Sequence, residues 1–265
     1  MADPLAVAGN IARVHTSHPR RGPRTFLGGA AWHITLAAAR AGLAAVPVSV
    51  VGPDLATDVQ QHASDRLVLD HVRTEPGPSA QFALRYDTRE RLIGVDSQVG
   101  VAAHLTAHVL NLLPRFRRWH LCCRRPLDPA AVLDQLRQDP HAEATVDFFA
   151  PSAKEMIAAV AAALPATSGV FVNAAEHALL TDVIAPDRLA FLVVTDGPRQ
   201  VSSYRYGVVT ATITPPAIIV DDPTGAGDTL VGHLLAARSA GLTDAGALHR
   251  AVAAASAHIA APTEG

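Results

Sequence analysis

Lysine is the residue type that this chain lacks most conspicuously. Of its 22 Lys and Arg residues only Lys154 is a lysine, and it lies in the segment Pro-Ser-Ala-Lys-Glu. A Walker A phosphate loop needs a lysine directly after a glycine run, and a protein kinase needs one on a strand of the Val-Ala-Ile-Lys type. The sequence therefore excludes both of these nucleotide-binding designs.

The chain also has few cysteines and no excess of basic over acidic residues. The 265 residues contain only Cys122 and Cys123, and the formal net charge is -2. Adjacent cysteines do not make a disulfide framework, so we expect two small core residues in a reducing cytoplasm. Nucleic acids and anionic membranes attract proteins with a basic footprint, so we expect neither as a partner.

Long hydrophobic runs are absent as well. The most apolar early stretch, residues 43–51, is far shorter than the ~20 residues that a spanning helix needs. The chain begins Met-Ala-Asp-Pro, with an acid where a secretion signal carries basic residues. With 49% hydrophobic and 17% charged residues, the composition is that of a globular protein, and we expect one soluble domain over residues 1–265.

The hydrophobic pattern alternates short β-branched runs with longer Ala/Leu-rich stretches, which is typical of βαβ units around a parallel sheet. The predicted strands are 5–8, 45–51, 119–122, 144–148, 169–172 and 189–195, with a further pair at 201–204 and 208–212. The predicted helices are 30–41, 129–136, 153–163, 226–240 and 245–259. Residues 10–27 are irregular by this pattern, and residues 66–96 resemble short strands of a lid or an interaction surface.

The strongest chemical signal is the segment Asp222–Asp228, which reads Asp-Pro-Thr-Gly-Ala-Gly-Asp between a predicted strand and a predicted helix. Its glycines let the backbone approach a ligand closely, and the unpaired N–H groups of a helix start attract an anion. Asp228 in an anion site fits a general base that takes a proton from a hydroxyl. The alternative is a Gly-rich helix start that Thr224 or Asp228 caps.

This segment resembles the C-terminal signature of the ribokinase family, the PfkB-type carbohydrate kinases. In that family the last Asp is the catalytic base and the Gly-Ala-Gly amides form the anion hole, which implies these roles for Asp228 and for Gly225, Ala226 and Gly227. Four further motifs occur in the family's order. They are Gly28-Gly29, Gly52-Pro53-Asp54, the Asn173-to-Glu176 segment (Asn-Ala-Ala-Glu) and Thr195-Asp196-Gly197.

The resemblance implies a ribokinase-like three-layer α/β sandwich, with a mostly parallel central sheet and a small β-lid built from about 10–27 and 79–95. It implies ATP and Mg²⁺, a monovalent cation near Asp222, a polyol acceptor (a sugar, cyclitol or nucleoside) and a homodimer that pairs through the lid. The motifs resemble the inositol-kinase-like branch of the family most, which implies a cyclitol or an unusual sugar as the acceptor.

The resemblance also implies a residue for each ligand. Glu176 would organise Mg²⁺, and the residues at the nucleotide would be Asn173, Glu176, Thr195, Gly197 and Thr224. The residues at the acceptor would be Asn10, Gly28, Gly29, His33 and Asp228, and the Ala-rich stretch 251–261 would lie beside the adenine. Simpler alternatives stay open: Glu176 as a first-turn acid of a helix, Thr195 and Gly197 as a strand exit, and 251–261 as a core helix.

Two departures from the family concern the acceptor. Val14 stands where relatives carry an Asp, with Arg13 and His15 beside it, and His33 stands where they carry an Asn. His33 could replace the amide as donor or acceptor, or Arg13 could meet an anionic substrate; alternatively, His33 is a histidine on a half-buried helix face. These losses favour a second hypothesis, a catalytically weak nucleotide- or metabolite-binding regulatory protein. At the end of a predicted strand, Asp147 could face the nucleotide or cap a helix.

Overall fold

Two β-sheets organise the molecule in a computed structural model, which describes residues 3–19, 22–62, 67–88, 92–220 and 222–260. Asp221, residues 20–21 and 89–91 of the predicted lid segments, and Ala261 lie outside the described residues. The large sheet has the order β13-β12-β11-β10-β9-β8-β1-β4-β5. Its strands are β1 (Leu5–Ala8), β4 (Ala45–Val51), β5 (Val72–Thr74), β8 (Arg118–Cys123), β9 (Glu143–Phe148), β10 (Gly169–Asn173), β11 (Leu192–Thr195), β12 (Val201–Arg205) and β13 (Val208–Ile213).

The seven strands from β11 to β5 run parallel, and β12 and β13 add an antiparallel hairpin at one edge. The strands β1 and β4 are buried over their whole length, as expected for parallel strands that are covered on both faces. This arrangement confirms the predicted α/β class with a mostly parallel sheet. The carboxyl ends of the parallel strands meet at one edge, which is where such sheets bind ligands.

Helices cover both faces of the large sheet. They are α1 (Ala30–Arg40), α2 (Pro53–Gln60), α3 (Leu105–Leu112), α4 (Pro129–Leu136), α5 (Ala153–Val160), α6 (Ala174–Thr181), α7 (Ala226–Ser239) and α8 (Asp244–Ala260). One core cluster joins α1, α7 and α8 to Val7 and Cys122, and another joins α3, α4, α5 and α6 to Ala8 and Cys123. Because neighbouring strand residues point to opposite faces, the two cysteines belong to different cores, and the predicted three-layer sandwich is confirmed.

The second, small sheet has the order β3-β2-β6-β7. Its strands are β2 (Ala12–His18), β3 (Gly22–Gly28), β6 (Ala80–Tyr86) and β7 (Leu92–Gln98). The stretch that the hydrophobic pattern left irregular is therefore a β2–β3 hairpin, in which alternate residues of β2 are buried. Two of these buried residues, Thr16 and His18, are polar, so the hydrophobic pattern does not show the strand.

Hydrogen bonds at the start of α2 fasten the small sheet to the large one. The hydroxyl of Ser79, directly before β6, donates to Asp54 Oδ1 at 2.7 Å and accepts from the Gly52 amide at 2.7 Å. A Cβ on Gly52 would lie 2.1 Å from the Gly77 carbonyl oxygen, so this position needs a glycine. The Gly-Pro-Asp segment thus has a structural part in joining the two sheets.

The sequence pattern gave the bounds of α4 correctly and those of α1, α7 and α8 to within a residue. It did not predict α2, α3 or α6, each of which has only 8 residues. The predicted helix 153–163 is shorter in the structure, where α5 ends at Val160. Among the described residues, no helix is both long and apolar enough to cross a membrane.

Candidate active site

A cavity of about 630 Å³ lies between the carboxyl edge of the large sheet and the small sheet. The start of α7 forms its floor, and Asn173, Glu176 and Thr195 line it at the ends of β10 and β11. Asn10 and His33 line it on the side of β1 and α1. Residues separated by most of the chain therefore meet in one space large enough for small-molecule ligands.

The start of α7 places a backbone turn at the cavity. Gly225 has the left-handed conformation, with φ 80° and ψ 0°, which an L side chain adopts only with strain. The Thr224 amide donates to Asp222 Oδ1 at 2.9 Å, so the buried Asp222 carboxylate fixes the turn before the helix. A Cβ added to Gly227 would meet no atom within 4 Å, so the backbone at this position faces open space.

One of the three predicted anion-hole amides already has a partner. The Ala226 N–H donates to the Pro223 carbonyl oxygen at 3.2 Å, because the chain makes a tight turn there before it enters α7. Ala226 also does not line the cavity, whereas Gly225 and Gly227 do. The Ala226 amide is therefore used in the turn, whereas the anion-hole role of Gly225 and Gly227 stays a prediction.

Asp228 lies in the first turn of α7 and lines the cavity. Burial, opposed by the charge of Arg124 and assisted by that of Asp147, raises the pKa of its carboxyl group to about 7. A carboxylate whose pKa lies near neutrality can accept a proton and release it again at physiological pH. The side chain therefore has both the position and the proton affinity of a general base.

Arg124 and Asp147 form a charged pair beside Asp228. Arg124 follows β8 directly, Asp147 lies in β9, and the Arg124 Nη2 donates to Asp147 Oδ2. Burial raises the pKa of the Asp147 carboxyl group, but Arg124 and His120 outweigh this effect and the pKa is lowered. Asp147 is thus an anion and Arg124 a cation, and both line the cavity.

His120, Cys122 and Asp147 also bring three potential metal ligands within 4.8 Å of one another. His120 Nδ1 is 2.9 Å from Thr145 Oγ1, and its Nε2 is 3.5 Å from Asp147 Oδ1. Burial raises the pKa of the Cys122 thiol well above its usual range, which opposes the thiolate that a metal site needs. The Arg124 guanidinium donates to the other carboxylate oxygen of Asp147, so an ion pair already occupies one of the three potential ligands.

Glu176 and Asn173 form a capping box at the start of α6. Asn173 Oδ1 accepts from the Ala175 and Glu176 amides at 3.0 Å, and Glu176 Oε2 accepts from the Asn173 amide at 2.9 Å. The alternative that Glu176 serves the helix start is therefore correct, and the same side chain lines the cavity. Burial, with a smaller contribution from Asp147, raises the pKa of Glu176.

His33 occupies the cavity wall between Gly28 and Gly225. A Cβ on Gly28 would lie 3.2 Å from His33 Nε2, and one on Gly225 would lie 3.8 Å from the His33 ring. Burial, followed by the charge of His258, lowers the pKa of His33 to about 4. The imidazole is therefore neutral at pH 7, with one nitrogen that donates and one that accepts.

Gly29 and Asn10 bring α1 against the end of β1. Gly29 has φ 103°, and a Cβ there would lie 2.2 Å from the Asn10 carbonyl oxygen. Asn10 Nδ2 donates to the Arg125 carbonyl oxygen at 2.9 Å, while the buried Asn10 Oδ1 has no hydrogen-bond partner among the described residues. A buried hydrogen-bond acceptor without a partner in a cavity wall favours binding of a ligand that donates a hydrogen bond to it.

Two contacts join the small sheet to the Asp222–Asp228 segment. Tyr86 Oη and Thr224 Oγ1 are 3.0 Å apart, and His18 Nε2 is 3.8 Å from Asp222 Oδ2. The His18 and Tyr86 rings stack with their centroids 4.3 Å apart. The Asp222 carboxylate therefore lies between the Thr224 amide and the His18 ring. The monovalent cation expected near Asp222 stays a prediction.

The structure gathers most of the predicted site residues around the cavity. Those that line it are Asn10, Gly29, His33, Asn173, Glu176, Thr195, Thr224, Gly225, Gly227 and Asp228. Gly28, Gly197 and Ala226, which are also described, lie outside the lining. Gly197 belongs to the turn after β11, where Asp196 and Arg199 pair. Ala251 and Ala255 belong to the core cluster, so the stretch 251–260 is a core helix.

Arg13 does not reach the cavity. Its guanidinium donates to the Asp54 carbonyl oxygen at 3.1 Å and lies 3.7 Å from Asp58, because alternate residues of β2 point to opposite faces and Val14 takes the inner one. Conversely, no motif in the sequence indicated Arg124, and the sequence left two roles open for Asp147, a position in the nucleotide cleft or a helix cap. The one available signal was their position at the ends of adjacent buried strands.

Comparison with known proteins identifies the family. The family described as pfkB family carbohydrate kinase matches residues 6–263. The chain belongs to the pfkB carbohydrate kinase family. The resemblance found in the sequence is thereby confirmed, and this family match spans both sheets and the whole cavity. No curated protein matches the sequence.

Solved structures of similar fold include two nucleoside kinases and a ribokinase. The Burkholderia thailandensis nucleoside kinase in complex with inosine has 20% identity and a TM-score of 0.82, with 98% of this chain and 92% of that chain covered. An E. coli protein described as a ribokinase II, in complex with ATP and Mg²⁺, has 19% identity and a TM-score of 0.81, with coverages of 98% and 94%. The Methanocaldococcus jannaschii nucleoside kinase has 20% identity and a TM-score of 0.73, with coverages of 98% and 92%. At these identities the pfkB-family chain shares their fold.

Proposed function

We propose that this pfkB-family protein transfers the γ-phosphoryl group of ATP to a hydroxyl group of a sugar, cyclitol or nucleoside. The observation that carries the proposal is the position of Asp228, a carboxyl group with a pKa of about 7, in the first turn of a helix that opens into the cavity. A base and an anion-binding helix start at the same point are what an attack of a hydroxyl on a phosphoryl group requires.

In the proposed reaction, Asp228 accepts the proton of the acceptor hydroxyl group while the oxygen of that hydroxyl group forms a bond to the γ-phosphorus. The bond between that phosphorus and the leaving oxygen of ADP breaks in the same displacement. The Gly225 and Gly227 backbone lies at the cavity floor, where N–H groups and the helix dipole stabilise the negative charge of the transferring group. Arg124, held by Asp147, supplies a fixed positive charge beside the same point.

The residues at the end of β10 fit Mg²⁺. Asp147, Glu176 and Asp228 all line the cavity, and Arg124 pairs with Asp147 within this group. Carboxylate oxygens are the ligands that Mg²⁺ prefers, together with waters and substrate phosphates. We propose that Glu176 holds the ion through water and that Asn173 fixes the orientation of Glu176. When bound, Mg²⁺ neutralises phosphate charge during the transfer.

The nucleotide would lie along the carboxyl edge of the large sheet. Thr195 in β11 is the register partner of Asn173 in β10 and lines the same cavity, as does Thr224. We place the phosphates of ATP near these hydroxyl groups, and we keep Gly197 as a residue of the turn that flanks them. The complex of the similar E. coli protein with ATP and Mg²⁺ supports this choice of ligands.

Release of ADP in the presence of MgATP and candidate acceptors tests the proposal. The variant Asp228→Asn removes the base and keeps the size of the side chain, so we expect turnover to fall by about 10²–10⁴-fold while ATP binding, measured by calorimetry, is retained. The control Asp182→Asn changes an exposed carboxylate at the end of α6 and should leave turnover unchanged. Near-normal turnover in Asp228→Asn would show that another group is the base.

The regulatory alternative rests on Val14 and His33, which replace the polar residues that relatives use at the acceptor. It differs from the kinase in one measurable respect. A regulatory protein would bind ATP but would not form ADP when any sugar, cyclitol or nucleoside is added. The rate of ADP formation would then be the same in the wild type and in Asp228→Asn.

A further inference from the structure

The inner face of the small sheet covers the cavity with apolar side chains. Val14 is the register partner of both Phe26 and Phe82, and Leu84 is the register partner of Val95. A bulge between Arg85 and Tyr86 shifts the register, so that Leu92 shares this face as well. All six of these apolar residues line the cavity.

Aromatic side chains concentrate at the same cavity, although aromatic residues make up only 5% of the chain. Five of the 7 phenylalanines line it. They are Phe26, Phe82, Phe148, Phe149 and Phe171. Phe26 and Phe82 stand on the small sheet and are half-buried, so their rings present free surface to a ligand that enters between the sheets.

The uncharged polar side chains in the lining on the acceptor side include Asn10, His33, Tyr86 and Ser97, and Tyr86 already contacts Thr224. Asn10 Oδ1 is a buried acceptor atom with no partner among the described residues, and His33 is a neutral imidazole on the same side. The two arginines in the lining, Arg124 and Arg125, donate to Asp147 and Glu155. A phosphate or carboxylate on the acceptor would therefore compete with an ion pair that already exists.

We infer that the acceptor is a neutral alcohol whose hydroxyl group is attached near a flat, weakly polar ring, with an N–H or O–H group that donates to Asn10. This inference rests on the proposed function and selects among its acceptors. A free sugar or cyclitol would place most of its hydroxyl groups against the six apolar residues of the small sheet, where a hydroxyl group loses its water without gaining a partner. A flat ring packs on Phe26 and Phe82 without that loss.

A panel of acceptors tests the inference. Cytidine and 6-amino-3-hydroxymethylpyridine carry a flat ring with an N–H donor, and the hydroxyl group is attached through a ribose in the first and directly in the second. Ribose and myo-inositol are free polyols, and ribose 5-phosphate is anionic. We expect at least one ring alcohol to have a kcat/KM at least tenfold above that of every polyol and of the phosphate. Cytidine alone would identify a nucleoside site, and the pyridine alone an aromatic alcohol site. A polyol or the phosphate as the best acceptor would overturn the inference and leave the kinase intact.

A pair of variants on opposite faces of the small sheet sharpens the test. Phe82→Ala removes a ring from the inner face, and we expect the KM of the ring alcohol to rise by about tenfold or more with a smaller change in kcat. Ile93→Ala is the control, because Ile93 is 65% exposed on β7 outside the cavity lining and should change neither constant. A KM that Phe82→Ala leaves unchanged would contradict the inference.

Calorimetry separates failure of the inference from failure of the proposed function. The panel is titrated into the wild-type protein without ATP, so binding is measured apart from turnover. Binding of a ring alcohol, weakened by Phe82→Ala, without phosphorylation would support the inference and reject the kinase. Absence of ring-alcohol binding together with absence of ring-alcohol turnover in the ADP assay would reject the inference.

Discussion

At the residue scale, the molecule places a carboxyl group where its charge is unfavourable. The Asp228 carboxyl group is buried in the cavity wall near a second carboxylate, Asp147. Both effects favour the protonated form, and the pKa of Asp228 is raised to about 7. Arg124 limits the shift, because its positive charge favours the ionised form. The result is a group that is part acid and part base at neutral pH, which suits proton transfer better than an ordinary surface aspartate does.

This pKa predicts a pH dependence. With Asp228 as the proposed base, its ionised form is the active form and is lost as the pH falls below about 7, so kcat/KM should drop about tenfold for each pH unit below that point and level off above it. Initial rates between pH 5 and 9 measure the profile. The residual kcat/KM of Asp228→Asn should not decrease in this way below pH 7. A wild-type profile that stays flat down to pH 5 would contradict the assignment of Asp228 as the base.

His33 gives a second prediction at this scale. Because burial lowers the pKa of His33 to about 4, the neutral ring is present throughout the working pH range, and its role at the acceptor does not depend on charge. His33→Ala should raise the acceptor KM by about tenfold, which is the loss of one buried hydrogen bond of about 1.4 kcal/mol, with kcat changed less. An unchanged acceptor KM would make His33 a structural histidine of α1.

At the element scale, one side chain serves a helix start and a ligand site together. Glu176 accepts from the Asn173 amide in the capping box of α6 and also lines the cavity. Strand β10 and helix α6 therefore fix the position of the group that we assign to Mg²⁺. A substitution that preserves the cap but removes the charge separates the two roles.

Glu176→Gln is that substitution, and Glu176→Ala is its matched partner. Glutamine also serves in capping boxes, so we expect Glu176→Gln to keep the wild-type Tm but to need about tenfold more Mg²⁺ for half-maximal rate. Glu176→Ala loses the cap as well, and its Tm should fall by a few degrees, for a loss of about 1 kcal/mol. Equal Mg²⁺ requirements in wild type and Glu176→Gln would remove Glu176 from the metal site.

The small sheet and the Asp222–Asp228 segment meet through Tyr86 and Thr224, and this contact gives a prediction for sheet docking. Tyr86→Phe removes the hydrogen bond of 3.0 Å and keeps the ring that stacks on His18. Loss of about 1 kcal/mol from the docked state should raise the acceptor KM about fivefold. Tyr206→Phe, at a residue that is 62% exposed, is the control. Identical KM values in the two variants would show that the contact does not help to cover the acceptor.

At the scale of the whole molecule, the small sheet has two edge strands, β3 and β7, each with a single neighbour among the described strands. Unpaired strand edges can pair with another chain, and this property supports the expectation of a homodimer through this sheet. Analytical ultracentrifugation should then give a mass near twice 27.7 kDa. A single species of 27.7 kDa over a wide concentration range would contradict it.

Short segments of the sequence determined the fold class, the pfkB family and the core of the site. The Asp222–Asp228 segment carries its own turn, glycines and base within seven residues, and the buried strands show in their hydrophobic runs because a parallel sheet is covered on both faces. Local chemistry of this kind is visible without a structure. The same holds for Asn173 and Glu176, whose spacing of three residues sets the capping box.

The tertiary structure decided everything that depends on residues distant in the chain. The Arg124–Asp147 pair joins residues 23 positions apart and the Tyr86–Thr224 contact residues 138 apart, and neither partner signals the other in the sequence. Likewise, the β2–β3 hairpin with its apolar inner face came from a stretch that the pattern left irregular, and the turn at Pro223 took the Ala226 amide out of the predicted anion hole. The physical reason is the same in each case: strand pairing and helix packing, which act over long sequence separations, set which side chains face the cavity.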